Sequence, residues 1–427
     1  MIDKRIWICA AILLLAATTG TAAALEDIEQ LGKSIFFDES LSIKENQACA
    51  SCHDPVVGWT GPDSIVNAHE AIYEGSIKAR FGDRKPPSAA YATQSPILDY
   101  KMKGGEALFT GGNFWDGRAT GEKLGNPAAD QAQGPFLNSA EQAFTDSTCV
   151  VYRVCEAEYD PVSFETVYGH DACNINWPAN IETVCETEGS MVDLQPGPRA
   201  KSDTAYDNIA LSIAAYEASP EVNAFTSKWD YSRKDMSTVK LSKEERDNFA
   251  LFQSKGKCAG CHITRGAKPL LTDYTFDNLG IPKNPENPAE IDPNFIDLGL
   301  GKFLDTREEY RKFAIDNMGK HKVPTLRNVD LRPSDDFVKA YGHNGYFKSL
   351  KGIVKFYNTR DTLPKCEELE TPIMKATEAQ ALDNNCWPAA EVPQNVNMDE
   401  LGDLGLTDEE ENAIVAFMRT LSDGYEP

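Results

Sequence analysis

Apolar side chains recur at helical spacing in four places along this chain, and the stretches between them are broken by glycine, proline and polar residues. Ile28, Leu31, Ile35 and Phe36 mark a helix that starts near Leu25 and ends before the polar loop 42–47. Ala205, Ile209, Ile213 and Tyr216 line one face of a helix over Ser202–Ser219. A third helix covers Glu244–Ser254. Leu406-Thr407-Asp408-Glu409-Glu410 is a capped start for a fourth, whose apolar face is Ile414, Val415, Phe417, Met418 and Leu421. Gly58, Pro62, Gly75, Gly82 and Pro86-Pro87 interrupt any period in the segment after His53.

Two five-residue motifs follow two of these helices. Cys49-Ala50-Ser51-Cys52-His53 comes after the first, and Cys258-Ala259-Gly260-Cys261-His262 after the third. Two cysteines two residues apart, with histidine immediately after, form the attachment signature of c-type haem. The thiols add to the haem vinyl groups and the adjacent histidine ligates iron. Zinc is the competing chemistry, but it wants four ligands in two clustered pairs, and these motifs stand in opposite halves of the chain, each with its own histidine. The reading is therefore two haems, held by Cys49 and Cys52 with His53 as iron ligand, and by Cys258 and Cys261 with His262. The plan helix, haem loop, closing helix is used twice. The expected fold is mainly α: two cytochrome c-like haem domains, 25–233 and 234–427, packed together and joined through Lys234–Leu241. A haem in place of core side chains explains the poor regular structure after His53.

The ends and the cysteines add a compartment. Residues 1–24 read as a signal peptide: a basic start at Lys4 and Arg5, an apolar run Ile6–Ala17 too short to span a membrane, and Ala22-Ala23-Ala24 as the cleavage site. A periplasmic location follows, with no membrane span. Of eleven cysteines, six lie outside the leader and the haem motifs: Cys149, Cys155, Cys173, Cys185, Cys366 and Cys386. An even number in an oxidising compartment implies three disulfides. Cys366 and Cys386 are the natural late pair. The other four staple an insertion over about 149–197 that shows little helical periodicity, and their pairing stays open. The net charge of −24 over 427 residues excludes nucleic acid as a partner, whose phosphates would be repelled. It suits a locally basic protein partner as well as plain solubility.

Further motifs carry a resemblance. Phe114-Trp115-Asp116-Gly117-Arg118-Ala119 is followed by Gln131, Pro135 and Glu141, and later by Val323-Pro324-Thr325-Leu326-Arg327-Asn328 and Tyr341-Gly342-His343-Asn344-Gly345. With the Leu-Gly…Phe-Phe-Asp…Leu-Ser lead-in to Cys49, this set resembles the bacterial dihaem cytochrome c peroxidase and MauG superfamily over nearly all of the mature chain. The resemblance implies that peroxide reacts at the His53 haem. Glu141 would do the acid–base work, Gln131 would orient the peroxide and Pro135 would shape the pocket. Trp115 would relay charge between the haems, and Arg118, with Asp116, would brace the site through haem propionates. His69 matches the removable-ligand loop of some peroxidases poorly and reads as a solvent-facing loop histidine.

The ligand opposite His262 separates the members. Electron-accepting peroxidases place a Met downstream of the His-Asn-Gly motif, which raises the haem potential. Counting the same distance from His343 lands on Tyr357, the residue of MauG-like members. A phenolate there would lower the potential and favour high-valent iron. Met318 and Met374 are the other candidates, and Tyr357 packing on an amphipathic helix with Ile353, Val354 and Phe356 is the structural alternative. His343 reads as a neighbour of the second haem; His321 and His170 have no assigned role. Family members often hold calcium between the haems through an Asn, but Lys85 stands at that position in Arg84-Lys85-Pro86-Pro87, so calcium is left as a possible cofactor. The expected function is a periplasmic dihaem oxidoreductase that uses hydrogen peroxide to form high-valent haem iron and oxidise a side chain, plausibly Trp, of a partner protein. The rival is a detoxifying cytochrome c peroxidase fed by a small cytochrome c or cupredoxin. A non-catalytic dihaem electron carrier is the third reading, against which the Gln131, Pro135 and Glu141 set counts.

Overall fold

The first helix, Asp27–Phe36, is fixed at its start by Glu29, whose carboxylate accepts from the Glu26 backbone N–H at 2.8 Å. It buries Leu31, Ile35 and Phe36 against the long helix Pro196–Ala218. The two backbones touch at Gly32, where a Cβ would lie 1.9 Å from the Ser212 carbonyl oxygen. Pro196 and Pro198 open the long helix, where a missing N–H costs nothing, so it starts six residues before the apolar periodicity does. These helices belong to the computed structural model of the protein, which describes residues 24–234 and 237–427. The leader read over 1–24 lies outside the described residues but for Ala24, as do Asp235 and Met236 of the linker.

The molecule is mainly helical, with two small antiparallel sheets among the described residues. One apolar core draws on Leu31 through Val222, and a second on Trp229 through Leu421. In the second, Lys243–Gln253 lies against Asp408–Arg419, with Phe252 and Phe417 ring centroids 5.0 Å apart. Leu350–Thr359 packs on the same closing helix. Ser242 and Thr407 cap their helices through Glu245 and Glu410, as the sequence pattern implies. Trp229, on Lys228–Arg233, already packs in the second core, ahead of the linker stretch.

The pairs Cys149–Cys185, Cys155–Cys173 and Cys366–Cys386 are disulfide-bonded. The stapled insertion differs from expectation. It carries the helices Ser147–Glu156, Phe164–Tyr168 and Ile181–Glu186, the last two too short to show a period. Val150, Val151 and Val154 turn into the first core, so the insertion is part of that core rather than a loop outside it. The hairpin Asp99–Lys103/Glu106–Thr110 is not foreseen from the sequence. Gly104 and Gly105, both at positive φ, make its two-residue turn, and Phe109 packs with Phe276, Leu300 and Leu304 in a third cluster that joins the two halves.

Because Gly32 stands where two helix backbones meet, Gly32→Ala must push them apart. Overpacking of this kind costs about 1–3 kcal/mol, and calorimetry of the variant is expected to show a lowered Tm.

Candidate functional site

Each motif histidine is oriented by a carbonyl that a local backbone turn delivers. His53 Nδ1 bonds the Trp59 carbonyl at 3.2 Å, and His262 Nδ1 bonds the Leu271 carbonyl at 2.8 Å. Only an N–H can donate there, so Nε2 of each ring carries the lone pair an iron ligand needs. Both carbonyls come from non-glycine residues in the left-handed region, Trp59 at φ +62° and Leu271 at φ +55°. Burial keeps both rings neutral, pushing His53 down to about 4. Neighbouring packing holds the strained turns. The rings of Phe36, Trp59 and Tyr216 meet edge to face at 5.7–5.9 Å. On the other side Thr325 Oγ1 donates to the Leu270 carbonyl and Arg327 Nε to that of Pro269. That explains the Val323–Asn328 motif: it clamps the loop that orients His262. Arg327 is itself fixed by a buried bidentate pair with Asp230, at 2.8 and 2.9 Å.

The four motif cysteines are outside the three disulfides, while every other described cysteine is paired. Each motif turns as a single 3-10 turn, with the histidine N–H bonded to the first cysteine's carbonyl. Two free thiols and a lone-pair nitrogen on one turn match the donor set of covalent haem.

A cavity of about 410 Å³ runs from the second motif toward the first half. Cys258, Cys261, His262 and Tyr357 line it, and so do Trp115, Lys85 and Gln131. Tyr357 sits on Leu350–Thr359, where burial raises its hydroxyl above the usual range and the Cys258 and Cys261 thiols add to the shift. It therefore shares the site with the second motif. Met318 packs instead beside the third apolar cluster, and Met374 is 70% exposed. The methionine that does line the cavity is Met418, on the closing helix.

Trp115 is bracketed from both halves. Its Nε1 donates to the Lys85 carbonyl at 2.8 Å, and its own carbonyl accepts from the Lys322 N–H. Arg84 ties it further, pairing with Asp116 at 2.6 Å and Asp297 at 2.7 Å. Arg118 is half exposed, stacked 3.7 Å over Phe114 and paired to Asp116. Gln131 and Pro135 share the helix Pro127–Leu137. Pro135 has no N–H to give the Gln131 carbonyl four residues earlier, so one helical bond is absent beside the cavity. Glu141 follows on a loop held by Ser76, whose N–H donates to the Glu141 carbonyl at 2.8 Å. Burial raises the Glu141 carboxyl, against the opposing effects of the Asn138 amide at 2.6 Å and of Arg118. The next residue, Gln142, donates from Nε2 to the carbonyl of Gln47, two residues before Cys49, which sets the Glu141 loop beside the first motif. His69 is exposed, as expected of a solvent-facing loop histidine, and lies against Glu286.

Several buried groups escape sequence reasoning. Glu217, near Cys49, is pushed up to about 8 by burial. Three ammonium groups are caged by oxygens at the junction of the halves. Lys85 donates to Thr60 Oγ1 and the Pro86 carbonyl. Lys322 donates to Ser95, Gly112 and Asn113. Lys339 donates to the carbonyls of Val57, Asn328 and Leu331 at 2.9–3.0 Å. Burial lowers all three, Lys85 to about 8 and Lys322 to about 7. His343 lines the cavity, stacked on His321 beside Asp297 and Glu391. Lys85 and His343 carried a sequence signal; the others gather from distant segments.

Compared with known proteins, residues 26–237 match the family model described as di-haem cytochrome c peroxidase. The chain is 30% identical to the methylamine utilization protein MauG of Paracoccus denitrificans, over 98% of this chain and 95% of that one. It is 26% identical to the cytochrome-c peroxidase IdrP2 of Denitromonas iodatirespirans, over 83% and 84% of the two chains. Its fold is similar to that of a variant of the diheme peroxidase BthA from Burkholderia thailandensis, with a TM-score of 0.69, 24% identity, and coverage of 93% and 86%.

The thiols of one motif cannot serve the other. Replacing Cys258 and Cys261 together by Ala is expected to halve the covalent haem per chain, measured by pyridine haemochrome against protein concentration, and to leave the first haem in place.

Proposed function

The chain belongs to the family of di-haem cytochrome c peroxidases and MauG proteins, a hydrogen peroxide-dependent oxidoreductase with two c-type haems, and on that premise we propose that it oxidises a side chain of a partner protein as MauG-like members do. The observation that carries this reading is Tyr357 in the cavity of the second motif, with Met318 and Met374 elsewhere. The haems supply redox-active iron for peroxide cleavage and for drawing electrons from the partner.

The chain's own residues supply the rest. Cys49, Cys52 and His53 would hold the peroxide-reactive haem, and Cys258, Cys261, His262 and Tyr357 the second. Glu141, raised by burial, takes a proton from one peroxide oxygen and returns it to the other, which leaves as water. Gln131 orients the peroxide, and the Pro135 helix leaves room for it. The oxidised partner side chain gives up two electrons, relayed through Trp115, and two protons, and together these turn the remaining peroxide oxygen into a second water. Arg118 and Asp116 hold Trp115's neighbourhood rigid, and His343 stands by the second haem. The domains are the two haem units on either side of the 234–241 linker. The partner is a protein substrate oxidised at a Trp side chain. Calcium has a poor place at Lys85, whose ammonium already satisfies the nearby oxygens. Residues 1–24 direct the protein to the periplasm, and no described helix is long and apolar enough to cross a membrane. The rival, a peroxidase fed by a small cytochrome c or cupredoxin, would need an electron-accepting second haem of high potential.

One experiment separates the two. Oxidised holoprotein mixed with stoichiometric peroxide is followed by absorption and Mössbauer spectroscopy. Both irons are expected to respond without prior reduction; a response only after one haem is reduced would favour the cytochrome-fed peroxidase. In Tyr357→Met the second haem's potential is expected to rise, and an unchanged potential would remove Tyr357 as a ligand.

Glu141→Gln is expected to slow the reaction with peroxide by about 10²–10⁴-fold, in stopped-flow absorption, with haem content unchanged. Wild-type rates would take the acid–base role from Glu141.

A further inference from the structure

An aromatic pair outside the cavity stands beside the first haem motif. Trp59, whose carbonyl accepts from His53 Nδ1 at 3.2 Å, meets Tyr216 edge to face with ring centroids 5.9 Å apart. Both are buried in the first core, Trp59 at 5% and Tyr216 at 0% exposure. Neither they nor Glu221 line the cavity that the second motif shares.

The Tyr216 hydroxyl donates to Glu221 Oε1 at 3.0 Å. Glu221 is 39% exposed and pairs with Lys33 at 2.6 Å. A buried phenol needs a partner, and a hydroxyl or a backbone carbonyl would satisfy that need. A carboxylate adds a base. Burial and the Glu221 charge hold the proton on Tyr216, above the usual range for a phenol. Loss of one electron reverses this, because an oxidised phenol is a strong acid, and a carboxylate stands within hydrogen-bond reach to take the proton. Lys33 Nζ lies 6.0 Å from the ring centroid, where the Glu221 charge offsets its own.

Position singles out this tyrosine. Tyr91 and Tyr159 also bond carboxylates, those of Asp423 and Asp38. Among the described residues, however, the rings that meet Trp59 are those of Phe36 and Tyr216. The benzene ring of Phe36 resists oxidation. Thiols apart, an indole and a phenol are the side chains that give up an electron most readily.

We propose that Tyr216, with Trp59 as relay and Glu221 as proton acceptor, is an internal electron donor to the first haem when no partner protein is bound. After one peroxide oxygen has left as water, the other needs two electrons and two protons. Tyr216 gives one electron through Trp59, its phenolic proton passes to Glu221, and it is left as a neutral phenoxyl radical. The second electron comes from the second haem through Trp115, and the two protons come from solvent. The proposal rests on peroxide reacting at the first haem, and it holds for a protein substrate and a small redox protein alike.

The test mixes the haem-loaded full chain, oxidised and half-reduced, with stoichiometric peroxide and no partner. Samples are frozen over time for electron paramagnetic resonance while the Soret band is followed. A tyrosyl radical is expected, its hyperfine pattern narrowed in protein grown on ring-deuterated tyrosine. In Tyr216→Phe, which keeps the ring against Trp59, the signal is expected to vanish with both haems retained. Glu221→Gln still accepts the hydrogen bond but is a far weaker base, and is expected to slow the radical's appearance by about 10²-fold. Should Tyr216→Phe lose its haems, Glu221→Gln still decides, an unchanged rate counting against the pair. A Soret change without a tyrosyl signal, or a full signal in folded Tyr216→Phe, would overturn the pair and leave the reading of the first haem intact. A Soret band that peroxide moves in neither redox state would overturn both.

Discussion

The hydrogen bond from a motif histidine to a backbone carbonyl is the constraint on which each half is built. A CxxCH turn delivers two thiols and an imidazole, but nothing in the turn itself decides how the ring is rotated or which nitrogen carries the proton. Trp59 does so for His53 and Leu271 for His262. Each offers its carbonyl from a left-handed backbone position that costs a non-glycine residue about 1–2 kcal/mol, and each is held there by different means. In the first half it is a cluster of aromatic rings gathered by the Asp27–Phe36 and Pro196–Ala218 helices. In the second it is a lattice of side-chain hydrogen bonds from Thr325 and Arg327. One local requirement has been met once by packing and once by polar clamping.

The junction between the halves is polar rather than apolar. A chain with a net charge of −24 buries Lys85, Lys322, Lys339 and the Arg84 guanidinium there, the last paired with the carboxylates of Asp116 and Asp297. Lys339 joins the halves directly, holding the Val57 carbonyl on one side and those of Asn328 and Leu331 on the other. A buried charge is tolerable only when its hydrogen bonds are complete, so these contacts fix the approach of the halves more tightly than apolar packing would. Trp115 lies within this polar framework, bonded through its own backbone and indole to Lys322 and Lys85.

Much of this was legible in the chain. The helices flanking each motif show their 3.6-residue period and their capping residues, because an amphipathic helix writes its buried face into local order. The haem motifs, the late disulfide and the Phe114–Ala119 and Gln131–Glu141 segments are likewise contiguous. The stapled insertion reads as poorly helical because two of its three helices have only five or six residues and complete too few turns to show a period. The Asp99–Thr110 hairpin carried only Gly104-Gly105 as its signal, in strands too short to alternate clearly.

What the sequence alone determined is the local chemistry: which residues form the two Cys-x-x-Cys-His motifs, which turn or helix carries them, and the presence of Tyr357 on the segment that follows His343. What only the tertiary structure decided is which groups meet across the chain. Tyr357 shares a cavity with Cys258 while Met318 and Met374 do not. Trp59 and Leu271 set the tautomers of the two histidines. Asp297, His321, His343 and Glu391 converge from four separate segments. The reason is physical: a periodic pattern reports one residue's relation to a core nearby in sequence, whereas a lone pair finds its partner through folding of the whole chain.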